Sequence, residues 1–191
     1  MSVSVRFRDL SLPEVERTHL LGLIDSLMRE GDLILGDPVE QFEAEFSRRC
    51  RQSHAIGLSD GTAAVYLSLR ALGVGPGDEV ITTPMSWLAT GNAILALGAM
   101  PVFADVTDDF NVDPAAVEAA VTSRTKAVLP VHFYGRMARM DEIVAIAERH
   151  SLVVIEDASQ AFGADLDGDP AGSFGDAAAF SLNPMKPLAA L

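Results

Sequence analysis

Residues Glu79 to Ala104 read EVITTPMSWLATGNAILALGAMPVFA, and this stretch decides the fold class. Glu79-Val-Ile-Thr-Thr83 is a short β-type run that follows the Gly75-Pro76-Gly77-Asp78 turn. Ala89 to Leu97 reads as a helix, and Pro101-Val-Phe-Ala104 as a second strand. Strand, helix and strand in so short a span make a βαβ unit, whose strands lie parallel in a sheet covered on both faces. The alternation continues in both directions. Upstream, His54-Ala-Ile-Gly-Leu58 reads as a strand leading through Ser59-Asp60-Gly61-Thr62 into a helix marked by Val65, Leu69 and Leu72 and ended by Gly73. Downstream, Asp113 caps a helix with Pro114 at its first position, and Lys126 to His132 is a strand interrupted near its end by Pro130. Asp141 caps the next helix, Leu152-Val-Val-Ile155 is a buried strand, and Ala177 to Ser181 is another. The expected fold is α/β, with a mainly parallel sheet sandwiched by helices.

Before this region the period is helical throughout. Leu20, Leu23, Ile24 and Leu27 recur at helical spacing, and a second helix is expected from Asp37, with Pro38 at its first position and Glu40 completing a capping-box pattern. Val39, Phe42 and Phe46 give that helix one apolar face. Residues 1–52 therefore read as a helical segment packing on a large domain of residues 53–191. No internal repeat, low-complexity tract or interdomain linker interrupts the chain. The end, Phe180 to Leu191, stops inside an apolar stretch without a cap or polar tail, so the domain is expected to be incomplete at its C-terminus.

The 191 residues are enough for one domain with a sizeable core, and 49% hydrophobic against 21% charged residues is the composition of a packed globular protein. No apolar run approaches the ~20 residues that cross a bilayer. Met1 to Asp9 lacks the apolar region and cleavage site of a secretory signal, which leads us to expect a soluble, cytoplasmic protein. The formal charge of −13, with no basic stripe, speaks against nucleic-acid binding. The single cysteine, Cys50, permits no internal disulfide and sits one turn beyond Phe46, a core position. His19, His54, His132 and His150 are scattered without HxH or HExxH spacing, so no metal site is expected.

In parallel sheets the ligand crevice lies beyond the carboxyl ends of the strands. Four features fall at such ends: the Gly61-Thr62 loop, Pro84 to Trp87, Asp157, and the segment holding Lys186. A lone lysine is most often a solvated charge, but Lys186 lies between Met185 and Pro187 in an apolar tail, where lost hydration would free its amine as a nucleophile able to form a Schiff base. Asp157 ends an apolar strand; an acid there is commonly a cap or loop ligand, yet beside a nucleophilic lysine it suggests pyridoxal phosphate, whose ring nitrogen stays protonated opposite a carboxylate. Ser59 to Thr62 opens a helix after a strand and aims free N–H groups at the crevice, though an ordinary capped turn has the same residues. Trp87 offers a flat face for a cofactor ring as well as for core packing, and Gln160 can hydrogen-bond a phenolic oxygen or sit solvated on a helix.

Together, Gly36-Asp-Pro-Val39 with Phe42-Glu43, Ser59-Asp-Gly-Thr-Ala63, Gly75-Pro-Gly-Asp-Glu-Val-Ile81, Ala89-Thr-Gly-Asn-Ala-Ile94, Pro130-Val-His-Phe-Tyr-Gly135, Glu156-Asp-Ala-Ser-Gln-Ala161, Gly172-Ser-Phe-Gly-Asp176 and Phe180-Ser-Leu-Asn-Pro-Met-Lys186 closely resemble the DegT/DnrJ/StrS family of pyridoxal-phosphate sugar aminotransferases. The resemblance implies the aspartate-aminotransferase-like fold type I, in three α/β/α layers, and a homodimer with active sites at the subunit interface. It places the Schiff base on Lys186, the ring-nitrogen partner on Asp157, the stacking aromatic on Trp87 and the group beside the ring hydroxyl on Gln160. Gly61, Thr62 and Ser181 match the phosphate cradle, Ser181 through the resemblance alone. The implied reaction moves an amino group from glutamate or glutamine to a keto-sugar, typically nucleotide-linked, or a keto-cyclitol.

Pro187 follows the lysine where the family often has a polar residue, and family members continue well past this point, through the rest of the large domain and a small domain. Two other functions fit parts of the pattern. A sugar dehydratase of the same family would carry histidine in place of Lys186. A non-catalytic cofactor-binding or regulatory remnant draws its support from the abrupt end.

Overall fold

The computed structural model describes residues 10–31 and 33–188. The opening read for a signal, Met1 to Asp9, and residues 189–191 of the apolar tail lie outside them. The helices are α1 (Glu14–Glu30), α2 (Asp37–Arg49), α3 (Gly61–Ala71), α4 (Leu88–Ala96), α5 (Pro114–Ala120) and α6 (Met140–His150). The strands are β1 (Glu79–Thr82), β2 (Met100–Phe103), β3 (Thr125–Leu129), β4 (Val153–Asp157), β5 (Asp165–Leu166), β6 (Asp169–Pro170) and β7 (Ala177–Ala179). Five of them form one sheet in the order β2-β1-β3-β4-β7, and every pairing in it is parallel.

Successive side chains of a strand point to opposite faces, so a sheet buried on both sides needs apolar residues at nearly every position. Val80, Ala127, Leu129, Ile155 and Ala179 turn to one face, where Val65 and Leu69 of α3 and Ala93 and Ile94 of α4 cover them. Ile81, Val128 and Val154 turn to the other, against Val117 of α5 and Met140, Ile143 and Ile146 of α6. The three-layer arrangement follows directly. Asp60 and Asp113 cap α3 and α5, accepting from the Ala63 N–H at 2.8 Å and the Ala115 N–H at 3.0 Å.

Several elements depart from the sequence reading. The segment 54–58 forms no strand: no described strand runs beside it, the Gly57 N–H donates to Glu43 Oε1 at 2.6 Å, and Ile56 is 76% exposed. A strand without a neighbour leaves its backbone groups to other partners. Helix α2 is capped by Gly36, which adopts φ 88°, while Asp37 lies inside the helix and makes no side-chain cap bond. Helix α6 begins at Met140, because that side chain is fully buried with Ile143, and Asp141 falls in its first turn instead of capping it. The short hairpin β5–β6 was not anticipated; Asp167 and Gly168, both at positive φ, make its turn.

Helix α2 docks through Phe46, whose ring lies 5.4 Å from that of Phe162 and meets Phe180 edge-on at 4.9 Å. Beyond it, Arg51 pairs with Asp169, and Gln52 Nε2 donates to the Gly172 carbonyl at 2.7 Å. Cys50 is buried beside this junction, as expected. Helix α1 has no buried residue, and its Leu21, Leu23, Ile24 and Met28 are exposed. No described helix is long and apolar enough to cross a membrane, and no cluster of potential metal ligands occurs among the described residues.

Candidate active site

Strand β4 is an interior strand, between β3 and β7, and carries Asp157 at its carboxyl end, where the residue is only 5% exposed. Its backbone is pinned to the segment that continues β3: the Asp157 N–H donates to the Pro130 carbonyl at 2.9 Å, and the His132 N–H donates to the Asp157 carbonyl at 3.0 Å. The carboxylate is oriented separately. Its Oδ1 accepts from the Ser159 N–H at 3.2 Å, and its Oδ2 accepts from the Thr90 hydroxyl at 3.0 Å. Thr90 in turn lies 2.8 Å from Ser86 Oγ. The first turn of α4 is thereby tied to the end of β4, and the Pro84 to Trp87 segment joins the same rim.

A second junction forms at α3. A Cβ built on Gly61 would stand 2.9 Å from the Ser181 Cβ and 3.4 Å from its Cα, so any larger residue would push Ser181 away. The adjoining end of β7 is fixed to β4 through the Ala158 N–H, which donates to the Ala179 carbonyl at 2.9 Å. Asp60, just before Gly61, keeps a depressed pKa because it accepts the Ala63 N–H and then the Ser59 hydroxyl. Thr62 is exposed on the first turn of α3, and Ser181 is half-buried against Gly61. Ser181 thus stands against the N-terminus of α3.

Lys186 follows Ser181 on a turn organised by Asn183, whose carbonyl accepts from the Lys186 N–H at 2.8 Å and whose Oδ1 accepts from the Met185 N–H at 2.9 Å. The lysine is half-buried instead of enclosed in apolar surroundings. Trp87 is 76% exposed at the N-cap of α4, which excludes the core-packing reading of its indole. Gln160 lies in a turn after β4 and not on a helix; its Oε1 accepts from the Tyr134 N–H at 3.4 Å. Tyr134, at φ 50°, is itself exposed beside it.

Beneath this rim is a buried pair that the sequence reading passed over. His132 and Glu156 are both fully buried, with His132 Nε2 2.9 Å from Glu156 Oε2. His132 Nδ1 accepts from the Ala138 N–H at 3.2 Å, so the ring proton sits on Nε2 and is donated to the carboxylate. Glu156 also accepts the N–H groups of Gly172 at 2.9 Å and of Phe174 and Gly175 at 2.8 Å each. Burial pushes its pKa up, but the hydrogen bonds from His132 and from the Gly175 and Gly172 backbone outweigh burial and hold it below the usual carboxylate value. This carboxylate fixes the 172–175 turn that feeds β7 and, beyond it, Ser181 and Lys186. Thr90 also went unread, although a hydroxyl pair four residues apart at the mouth of a helix was its available signal.

The sequence pattern of the DegT/DnrJ/EryC1/StrS aminotransferase family matches residues 15–191. The chain is 50% identical over 175 residues to the pleiotropic regulatory protein of Geobacillus stearothermophilus, an alignment covering 91% of this chain and 47% of that one. It is 46% identical over 175 residues to the UDP-N-acetyl-3-dehydro-alpha-D-glucosamine 3-aminotransferase of Acidithiobacillus ferrooxidans, again covering 91% and 47%. Among solved structures, NtdA from Bacillus subtilis with its bound cofactor PMP superposes with a TM-score of 0.90 at 37% identity, over 97% of this chain and 43% of that one. The chain spans about half the length of the curated relatives it matches.

Proposed function

Because this chain belongs to the DegT/DnrJ/EryC1/StrS aminotransferase family, we propose that it binds pyridoxal phosphate and moves an amino group from glutamate or glutamine to a keto-sugar, nucleotide-linked, or to a keto-cyclitol. Its fold is that of the pyridoxal-phosphate fold type I enzymes. The observation that carries the reading is the buried, doubly oriented Asp157 carboxylate on the same strand-end rim as the Gly61–Ser181 approach.

The residues present fit the coenzyme. A carboxylate offers about four acceptor positions, and Asp157 accepts one hydrogen bond at each oxygen, which leaves room for a protonated ring nitrogen. At Gly61 the missing Cβ lets the start of α3 and Ser181 close around a phosphate, with the Thr62 and Ser181 hydroxyls and the helix N–H groups as donors. When bound, pyridoxal phosphate supplies an aldehyde for amine capture and a ring that accepts electron density.

The chain's own residues divide the remaining work. Lys186 Nζ would hold the coenzyme, and as a free amine it would serve as the acid/base that takes a proton from the donor α-carbon and delivers it to the coenzyme's C4′ carbon. Asp157 keeps positive charge at the ring nitrogen, and Trp87 offers its exposed indole face for stacking. Since Gln160 Oε1 accepts from the Tyr134 N–H, its amide N–H groups remain for the ring hydroxyl. A homodimer with shared sites, work on cytoplasmic metabolites, and a division into a helical segment of residues 1–52 and a coenzyme-binding unit of residues 53–191 belong to the same proposal.

The test is spectroscopic. Purified full-length protein is expected to absorb in the visible or near-ultraviolet with bound pyridoxal phosphate, borohydride to fix the coenzyme, and Lys186→Ala to abolish the fixed adduct. An adduct that persists on another lysine would overturn the assignment. A regulatory role is the second reading, supported by the 50% identity to a protein named as a pleiotropic regulator. Coenzyme binding without amino transfer from glutamate or glutamine to any of a panel of keto-sugars would favour it. Lys186 itself speaks against a dehydratase, in which histidine would take its place.

A further inference from the structure

We propose that Thr90, supported by Ser86, is a positioning residue for the coenzyme: its hydroxyl fixes the Asp157 carboxylate in the orientation that meets the ring nitrogen. The inference rests on the pyridoxal-phosphate reading above. Thr90 is 2% exposed and lies in the first turn of α4. A threonine inside a helix ordinarily returns its hydroxyl to the carbonyl of the preceding turn. Thr90 instead directs its hydroxyl across 67 residues of sequence to Asp157 Oδ2 at 3.0 Å.

The direction of the chain can be assigned. An ionised carboxylate only accepts, so the single Thr90 proton goes to Asp157 and the 2.8 Å contact with Ser86 must be donated by Ser86 Oγ. Two hydroxyl dipoles then point in series at one carboxylate oxygen, and such bonds strengthen one another in a buried setting. The opposite oxygen is held by the Ser159 N–H at 3.2 Å. With one constraint on each oxygen the carboxylate plane cannot rotate, and its unused acceptor positions keep a single direction. Removing Thr90's hydroxyl releases one side of that constraint while leaving β4 and its backbone bonds untouched.

The experiment compares Thr90→Val, which keeps the side chain's size and removes the hydroxyl, with Thr90→Ser, which keeps the hydroxyl. In the full-length protein, equilibrium dialysis against pyridoxal phosphate is expected to show about tenfold weaker binding for Thr90→Val and recovery to within about twofold for Thr90→Ser. The visible absorbance of the bound coenzyme should fall relative to its near-ultraviolet absorbance in Thr90→Val and be restored in Thr90→Ser. If Thr90→Val fails to fold, Ser86→Ala, which reaches Asp157 only through Thr90, should weaken binding about threefold in the same direction. Wild-type affinity and spectrum in Thr90→Val, or in Ser86→Ala where it stands in, would overturn the proposal, as would a Thr90→Ser variant as impaired as Thr90→Val. Loss of affinity in Asp157→Asn alongside unchanged hydroxyl variants would refute this inference and spare the coenzyme reading; a wild-type protein that binds no pyridoxal phosphate would end both.

Discussion

Replacing Glu156 by glutamine tests how much of the rim depends on one buried carboxylate. The perturbation is nearly isosteric, but it converts one acceptor oxygen into a donor. Oε1 accepts the Phe174 and Gly175 N–H groups, and Oε2 accepts His132 Nε2 and the Gly172 N–H. Whichever end becomes the amide nitrogen, two donors lose their acceptor and face another donor, buried ones at Oε2 and partly buried ones at Oε1. At about 1–3 kcal/mol for each of the two unsatisfied donors, the expected loss is about 2–6 kcal/mol. The assay is urea unfolding of wild type and Glu156→Gln, followed by far-ultraviolet circular dichroism at neutral pH. The pH dependence carries an independent sign. Glu156 titrates below its ordinary value of 4.5 in the folded protein, so its contribution is fully present above that value and disappears as the pH falls through the lowered folded value. Wild type should therefore lose stability on acidification faster than Glu156→Gln, and the two should converge. A loss below about 1 kcal/mol at neutral pH, the ordinary size for a point substitution, would refute the argument, as would a difference that grows on acidification.

Gly61→Ala should force the start of α3 and Ser181 apart, since the new Cβ would stand 2.9 Å from the Ser181 Cβ. A cost of about 1–3 kcal/mol is expected, together with weaker binding of pyridoxal phosphate; a variant with wild-type coenzyme affinity would separate this approach from the phosphate site. Burial, and secondarily the charge of Glu156, pushes the Cys50 thiol up to about 11. Folded protein at pH 8 should accordingly resist thiol-disulfide reagents at Cys50 and become reactive there on unfolding, and rapid labelling of the folded state would contradict its placement.

The apolar character of both faces of β1, β3 and β4, the caps at Asp60 and Asp113, and the placing of Asp157 at a strand's carboxyl end were all legible in the amino-acid order, because each depends on residues within a turn or a few positions of one another. So was the meeting of the start of α4 with the Asp157 end of β4, since parallel strands send all their carboxyl ends the same way. Features that depend on an unknown neighbour were not legible. Segment 54–58 has a strand's composition and forms no strand, because pairing is a property of two segments. The Met140 start of α6 followed from a core pocket that local cap residues do not reveal. Thr90 and Asp157 are 67 residues apart, and Glu156 reaches its backbone partners across 16 to 19 residues. Hydrogen bonds of that span leave no period in the sequence; they are set by which strands lie adjacent and how deep each side chain sits. Sequence order therefore determined which kinds of residue stand at the strand ends. Tertiary packing alone decided which hydroxyls and amides hold those residues still, because orientation is fixed by contacts between segments and not by neighbours along the chain.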